Sequence, residues 1–375
     1  MKKRILSLLA ALALCLAMAG CTISTPDSVG RIGQVEISSG MYLLVQYQAY
    51  YEAQAFASEE QQGLSVRDFL KETITVTDEA TGESSDWLAS DYVADRVLTN
   101  LQYYAAVRTR FAELGGALTE AEIAAADSTA QQIWDANSEL YAKNGFGLAT
   151  IREYEYTLTM ADDLLQLVYG PQGESPVSDE TLTRHVQEEM VYGFYASVPL
   201  YDTSTYALDE ETSDQAREIC QEAVDAYNEL VAETPELDAS GIYTNFYLVL
   251  MTYLPNAYSA CGNTFDSSQS FLNSGFFTES VLESYYSQDA ADVIRSTALG
   301  QAVLVDASSY GCELFVRADP LSSSTLDDVR DTALQDLMGE ALQEDLYAAG
   351  AALENSLDAA AMKKLPAGRI VLSLS

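Results

Sequence analysis

Histidine is almost missing from this 375-residue chain, with His185 the single one. That excludes a metal centre built on two histidines, and any Ser-His or Cys-His dyad would have to use this one residue. Basic side chains are also scarce, 19 Lys+Arg against 57 Asp+Glu, for a formal net charge of −38. Such an excess repels a phosphate backbone, which argues against a nucleic-acid partner. There are five cysteines in all, and no C-x-x-C spacing supports zinc or dithiol chemistry. Beyond the first twenty residues the longest apolar run, 246–251, has six residues, against the roughly 20 a membrane span needs. What is present suffices for a core: 48% of residues are hydrophobic, which argues against wholesale disorder. The length allows roughly two or three domains.

The chain opens MKKRILSLLAALALCLAMAGC, with Lys2, Lys3 and Arg4 followed by an apolar stretch and then small residues. Basic, apolar and small regions in that order form a secretory signal. Its end, Met18-Ala19-Gly20-Cys21, resembles the bacterial lipobox. That resemblance implies a lipoprotein signal peptide at 1–20 and lipid attachment at Cys21, whose thiol is diacylated at the new N-terminus. Residues 21–28 are small and polar and suit a lipidated tether. Losing Lys2, Lys3 and Arg4 leaves 16 basic against 57 acidic side chains, a net −41. The expected location is the cell membrane, lipid-anchored on its extracytoplasmic face. Cys220, Cys261 and Cys312 remain as an odd set; buried free thiols are expected, with one disulfide pair left open.

Periodicity organises the rest. Residues 29–37 read as a short strand or an extended start, and a helix follows from Met41 with Leu44, Tyr47, Tyr51 and Ala55 at helical spacing. Residues 73–83 break the pattern and are expected as a loop, before a helix over 87–114 that ends at Gly115-Gly116. Thr119-Glu120-Ala121-Glu122 has capping-box form and opens a helix to about Ala142. Helices over 149–169 and from Ser178 complete an all-helical first half. Residues 191–201 then read as a strand and 209–233 as an acidic helix. Residues 242–253 fit either helix or buried strand. Residues 255–280, dense in Ser, Asn, Gly and Phe, are expected as an irregular loop. A helix over 290–299 precedes a hairpin of 302–305 with 313–317. A long amphipathic helix closes the chain, with Leu334, Met338, Leu342 and Leu346 in one row.

A lipobox, a helical unit opening with VGRIGQVEISSG, an α/β segment and a closing helix together resemble the extracytoplasmic foldase lipoproteins of the PrsA type and the related SurA chaperones. The stretch Arg31 to Ile37 looks like the family's opening strand, without its usual asparagine. Phe111-Ala112-Glu113-Leu114-Gly115 with Leu118-Thr119-Glu120-Ala121-Glu122 resembles its helix junction. Ala298-Leu299-Gly300-Gln301-Ala302, Val305, Gly311 and Leu314-Phe315-Val316-Arg317 resemble the end of a parvulin-type (PpiC-type) peptidyl-prolyl isomerase domain. The resemblance implies an α+β protein: a mostly helical SurA-like chaperone domain at 29–189, a smaller parvulin-like α/β domain at 190–318, and a long C-terminal helix and tail at 319–375 packing back on the helical domain.

The catalytic pattern departs from that family. Parvulins carry a histidine on the first strand and usually another on the last. The matching positions fall within Phe194-Tyr195-Ala196-Ser197 and at Glu313, and none is histidine. The paired-glycine loop is reduced to Ser274-Gly275-Phe276. His185 stands apart among Arg184, Glu188 and Glu189 and reads as a solvated helical residue. No catalytic residue is therefore assigned, and isomerase activity is expected to be lost or weak. No cofactor or metal is expected either: Asp162-Asp163, Glu188-Glu189 and Asp327-Asp328 lack calcium-loop spacing. Lys143-Asn144-Gly145-Phe146-Gly147 follows a helix instead of opening one and is no phosphate loop.

The surplus lies in 24 tyrosines, whose amphipathic rings suit loose binding of unfolded chains. Candidate polypeptide-binding residues are Tyr47, Tyr51, Tyr104, Phe265, Phe271 and Phe276. The leading reading is a chaperone or foldase binding unfolded or nascent exported polypeptides, held at the membrane through the lipid on Cys21. An active peptidyl-prolyl isomerase and a surface ligand-binding lipoprotein are the alternatives.

Overall fold

The computed structural model describes residues 26–77, 81–233, 237–308, 310–322 and 324–374. The expected signal peptide, the lipobox-like stretch with Cys21, and the expected tether as far as Thr25 lie outside the described residues. The chain is an α+β protein that divides into two compact units. One comprises the described residues of Met1–Val168 and Ala341–Ser375, the other Tyr169–Glu340.

The first unit begins with a hairpin of β1 (Ser28–Ile32) and β2 (Val35–Ser38). Its two-residue link starts at Gly33, at φ +56, a conformation that a side chain would oppose. The stretch expected as one extended segment is thus two paired strands. Ser38 caps α1 (Ser39–Ala55), its hydroxyl accepting from the Met41 N–H. Met41, Leu44, Val45, Ala49, Tyr50 and Ala53 are buried on α1. The burial does not follow the expected row through Tyr51, which is 43% exposed.

A short helix α2 (Val66–Phe69) leads to β3 (Thr73–Thr77) and β4 (Ser84–Leu88), which pair antiparallel. A hairpin therefore replaces the loop expected at 73–83. Its β-branched run, Thr73 to Thr77, packs well on a pleated surface, and Thr75 donates across it to Asp86 at 2.9 Å. Trp87 sits on β4, and α3 (Ala89–Glu113) starts after it. Thr119 and Glu122 close the expected capping box at the start of α4 (Glu120–Lys143), a helix kinked at Asn137. Next comes α5 (Leu148–Tyr169).

In the second unit α6 (Asp179–Glu188) precedes β5 (Val191–Pro199). Then follow α7 (Glu210–Ala232), α8 (Ala239–Ala260), β6 (Asn273–Phe277), α9 (Glu279–Tyr285), α10 (Gln288–Ser296), β7 (Ala302–Ser308) and β8 (Gly311–Ala318). The four strands form an antiparallel sheet in the order β6-β5-β8-β7. Alternation at period 2 serves both faces. Phe194, Ala196, Val198, Leu314 and Val316 pack with α7 and α8, while Val191, Phe315, Val305 and Phe277 pack with α9 and α10. Residues 242–253 are helical. The expected loop over 255–280 is shortened from both ends: α8 continues through Pro255 to Ala260, and β6 forms at 273–277. Proline inside α8 forfeits one backbone bond, and the helix persists because Leu254 and Ala257 are buried on either side.

Helix α11 (Leu326–Ala352) gives its residues through Glu340 to the second unit and those from Ala341 to the first. In the first unit β9 (Asn355–Leu357) adds to the free edge of β1, giving the order β2-β1-β9, and α12 (Ala359–Met362) follows. Among the described residues no helix is long and apolar enough to cross a membrane. The crossing of α11 over α3 is close: Tyr347 and Tyr103 rings stand 4.7 Å apart, and a Cβ on Gly350 would lie 2.5 Å from the Gln102 carbonyl oxygen. In an exposed helix Gly→Ala stabilises by up to about 1 kcal/mol. Here Gly350→Ala is expected to destabilise by about 1–3 kcal/mol through overpacking, seen as a lowered urea midpoint.

Candidate functional site

The six sequence-predicted aromatics fall into separate groups. In the first unit Tyr47 and Tyr51 lie one turn apart on α1, their rings 4.9 Å apart and edge-on, with the Tyr47 hydroxyl donating to that of Tyr51 at 3.2 Å. Tyr47 also contacts Phe146 at 5.7 Å and Tyr141 at 6.1 Å. Burial, reinforced by Tyr51, pushes the Tyr47 hydroxyl well above its ordinary range. Tyr104 is only 3% exposed, on the core side of α3. Its hydroxyl donates to Glu153 at 2.9 Å, and the Arg108 guanidinium lies 5.3 Å from its ring centre. Tyr104 is not brought together with Tyr51 at an exposed surface.

The second unit holds the larger constellation. Phe276 on β6 stands directly opposite Tyr192 on β5, with ring centres 6.0 Å apart. From Tyr192 the rings run on through Phe194 (5.6 Å), Tyr243 (5.5 Å), Tyr247 (6.3 Å), Phe271 (5.3 Å) and Phe265 (5.0 Å) to Tyr258 (5.4 Å). Eight aromatic side chains thus make one unbroken ladder, containing Phe265, Phe271 and Phe276. Of the eight only Phe194 is buried, and Tyr243 is 42% exposed. Each such contact is worth about 0.5–1.5 kcal/mol beyond area burial. Sequence reasoning missed Tyr192, Phe194, Tyr243, Tyr247 and Tyr258. The signal was there in two periods: residues 192 and 194 share a strand face, and 243 and 247 share a helix face.

The stretch 194–197 and position 313, where the sequence reading expected the family's histidines, lie on paired strands. Ser197 and Glu313 are direct cross-strand partners on β5 and β8, and the serine hydroxyl donates to the carboxylate at 2.6 Å. The Tyr286 hydroxyl donates to the other carboxylate oxygen. Tyr195 stacks on Phe315 on the same face, 6.2 Å between centres and 8° between planes. Both oxygens of Glu313 are therefore occupied by hydroxyl donors. Burial first, then the bond to Glu313, raises the Tyr286 hydroxyl far above the ordinary tyrosine range. The chemistry available here is a fixed carboxylate and neutral hydroxyls.

His185 is not the solvated residue expected. Its side chain is 12% exposed, and its Nε2 lies 2.8 Å from Asp336 Oδ2 on α11. The partner is 151 residues away, so local sequence carried no sign of it. Nearby Arg330 bridges to Asp179 at 2.8 Å and ties α6 to α11 a second time. Cys220, Cys261 and Cys312 are buried free thiols. Hydrogen bonding to Cys312, then burial, pushes the Cys220 thiol up, which keeps it unreactive at neutral pH. Among the described residues no group of three or more His, Cys, Asp or Glu is arranged to hold a metal ion.

No family model matches the chain, and no curated protein matches it. Among solved structures it is similar to foldase protein PrsA from Streptococcus pneumoniae, at 11% identity and TM-score 0.34 over 79% of this chain and 92% of that one. PrsA from Bacillus subtilis is another, at 12% identity and TM-score 0.28 over the same shares.

The tyrosines set a pH limit. Burial pushes Tyr50 up to about 12, and Tyr286 is raised further. A raised folded-state value means that the stabilisation is complete below the unfolded value of 10.0 and is lost as pH climbs past it. Absorbance at 295 nm should show a set of tyrosines that ionise only as the protein unfolds. Tyr286→Phe should weaken the dependence of stability on pH above 10, measured by urea melts; an unchanged slope would exclude Tyr286 as a source.

Proposed function

We propose that this chain is a lipid-anchored chaperone on the extracytoplasmic face of the membrane, binding unfolded exported polypeptides along the aromatic ladder of its second unit. The observation that carries this reading is the ladder itself. Seven of its eight rings are at least partly open to solvent. Flat aromatic faces bury apolar side chains of any sequence, which is what loose recognition of unfolded chains requires. The acidity adds a preference: a mature net charge of −41 steers basic or neutral segments towards the surface. The anchor rests on Cys21 and the signal before it.

The antiparallel sheet over 191–318 supports a parvulin-like reading of 190–318, and its substituted histidine positions support loss of the isomerase. An isomerase must lower a barrier of about 18–20 kcal/mol for a twisting amide. At the matching positions this chain offers Tyr195, Ser197 and a Glu313 whose oxygens are already engaged.

Three measurements test the proposal. The double variant Tyr243→Ser, Tyr247→Ser should lower suppression of client aggregation several-fold at a temperature where variant and parent both remain folded, with a stability loss of about 2–4 kcal/mol for the three ring contacts removed. Unchanged suppression would sink the assignment of the ladder. Raising salt from about 0.05 to about 0.5 M should weaken complexes with basic clients, because exposed charges are screened. A proline-peptide assay should show no saturable acceleration; a robust one would restore the isomerase reading.

A further inference from the structure

The first unit holds a second site, of a different kind. A cavity of about 510 Å³ lies among α1, α3 and the chain after β9, walled by Val93, Val97, Leu357, Met362 and Leu365, within the range of small-ligand sites. Beside it a cavity of about 200 Å³ is lined by Lys143, Lys364 and Arg369. The two share Gln46, Leu365 and Pro366 as common lining.

Two independent features ask for a ligand. The first is charge. Only four lysines remain after residue 20, and Lys143, Lys363 and Lys364 are three of them. Lys363 lines the larger cavity, and Lys143, Lys364 and Arg369 line the smaller. All four are exposed, and among the described residues none forms an ion pair. Four cations gathered around two adjoining cavities, with no carboxylate among them, suit an anion. The second feature is Gln46, 4% exposed, at the shared wall. Its Nε2 donates to the Tyr42 hydroxyl and to the Leu365 carbonyl, both at 3.2 Å, but its Oε1 is buried with no hydrogen-bond partner. A buried acceptor left empty costs about 1–3 kcal/mol unless a donor reaches it.

An apolar chamber, an acceptor at the partition and a cationic chamber beyond it describe one ligand in order along its length. We propose that this site binds a single-chain anionic amphiphile of the lysophospholipid class. The acyl chain fills the larger cavity, the free glycerol hydroxyl donates to Gln46 Oε1, and the phosphate meets Lys143, Lys364 and Arg369. The site lies wholly in the first unit and does not depend on the polypeptide reading of the ladder.

The test uses the full chain carrying Cys21→Ser, titrated calorimetrically with four probes below their micelle concentrations. These are 1-myristoyl-lysophosphatidate, its analogue without the 2-hydroxyl, monomyristoylglycerol and inorganic phosphate. Lysophosphatidate should bind at 1:1, about ten-fold tighter than the deoxy analogue and more than ten-fold tighter than monomyristoylglycerol. The exposed pair Lys364→Glu, Arg369→Glu should abolish the preference over monomyristoylglycerol. Ala94→Trp, an exposed position on the larger cavity, should lower affinity for every acylated probe with the urea midpoint unchanged. Gln46→Leu should erase only the preference over the deoxy analogue, and if that variant fails to fold the other two still decide. The proposal is overturned if lysophosphatidate shows no saturable binding, if inorganic phosphate binds as tightly, or if the charge-reversed pair keeps its preference.

Discussion

The first unit is closed by residues from the far end of the chain. Strand β9 completes the small sheet by pairing Gly30 with Leu357 and Ile32 with Asn355. Asn144, 9% exposed, then holds the tail at both amide atoms: Nδ2 donates to the Val371 carbonyl, and Oδ1 accepts from the Val371 N–H, each at 2.9 Å. Gln46 makes a similar tie to Leu365. Closing so long a loop is less costly than intuition suggests, since each doubling of length adds only about 0.6 kcal/mol, and the intervening residues Tyr169–Glu340 form a compact unit of their own. The walls of the amphiphile site exist only once this closure is made, because Leu357, Met362, Lys364, Leu365 and Arg369 all belong to the returning tail.

Charge and aromaticity divide the two units' roles. In the second unit eight aromatic residues form a ladder that links the sheet to α8. The first places Lys143, Lys363, Lys364 and Arg369 around two cavities. Arg295 in the second unit meets Glu279 at 2.6 Å and Glu283 at 3.0 Å. Among the described residues Lys143, Lys364 and Arg369 meet no carboxylate, and they share one cavity wall.

Much of the secondary structure was legible because its causes are local. The capping box at Thr119 and Glu122, the strand at 191–199 and the hairpin of β7 with β8 depend on residues a few positions apart. The misreadings share the opposite trait. Residues 73–77 read as a loop because β4, which pairs with them, lies beyond a glycine-containing turn. Strand β6 hid in a Ser- and Asn-rich stretch because only its pairing with β5, some eighty positions earlier, makes it a strand.

The sequence by itself determined the acidic balance, the single histidine, the basic, apolar and small opening that ends in Met18-Ala19-Gly20-Cys21, and most of the helices. Each follows from composition or from neighbours within a turn or two. Only the tertiary structure decided that Ser197 and Tyr286 converge on Glu313, that His185 meets Asp336, that eight rings join into one ladder, and that Gln46 keeps an empty acceptor beside a ring of cations. Those juxtapositions come from packing between segments tens to hundreds of residues apart, where local periodicity carries no record of which face meets which.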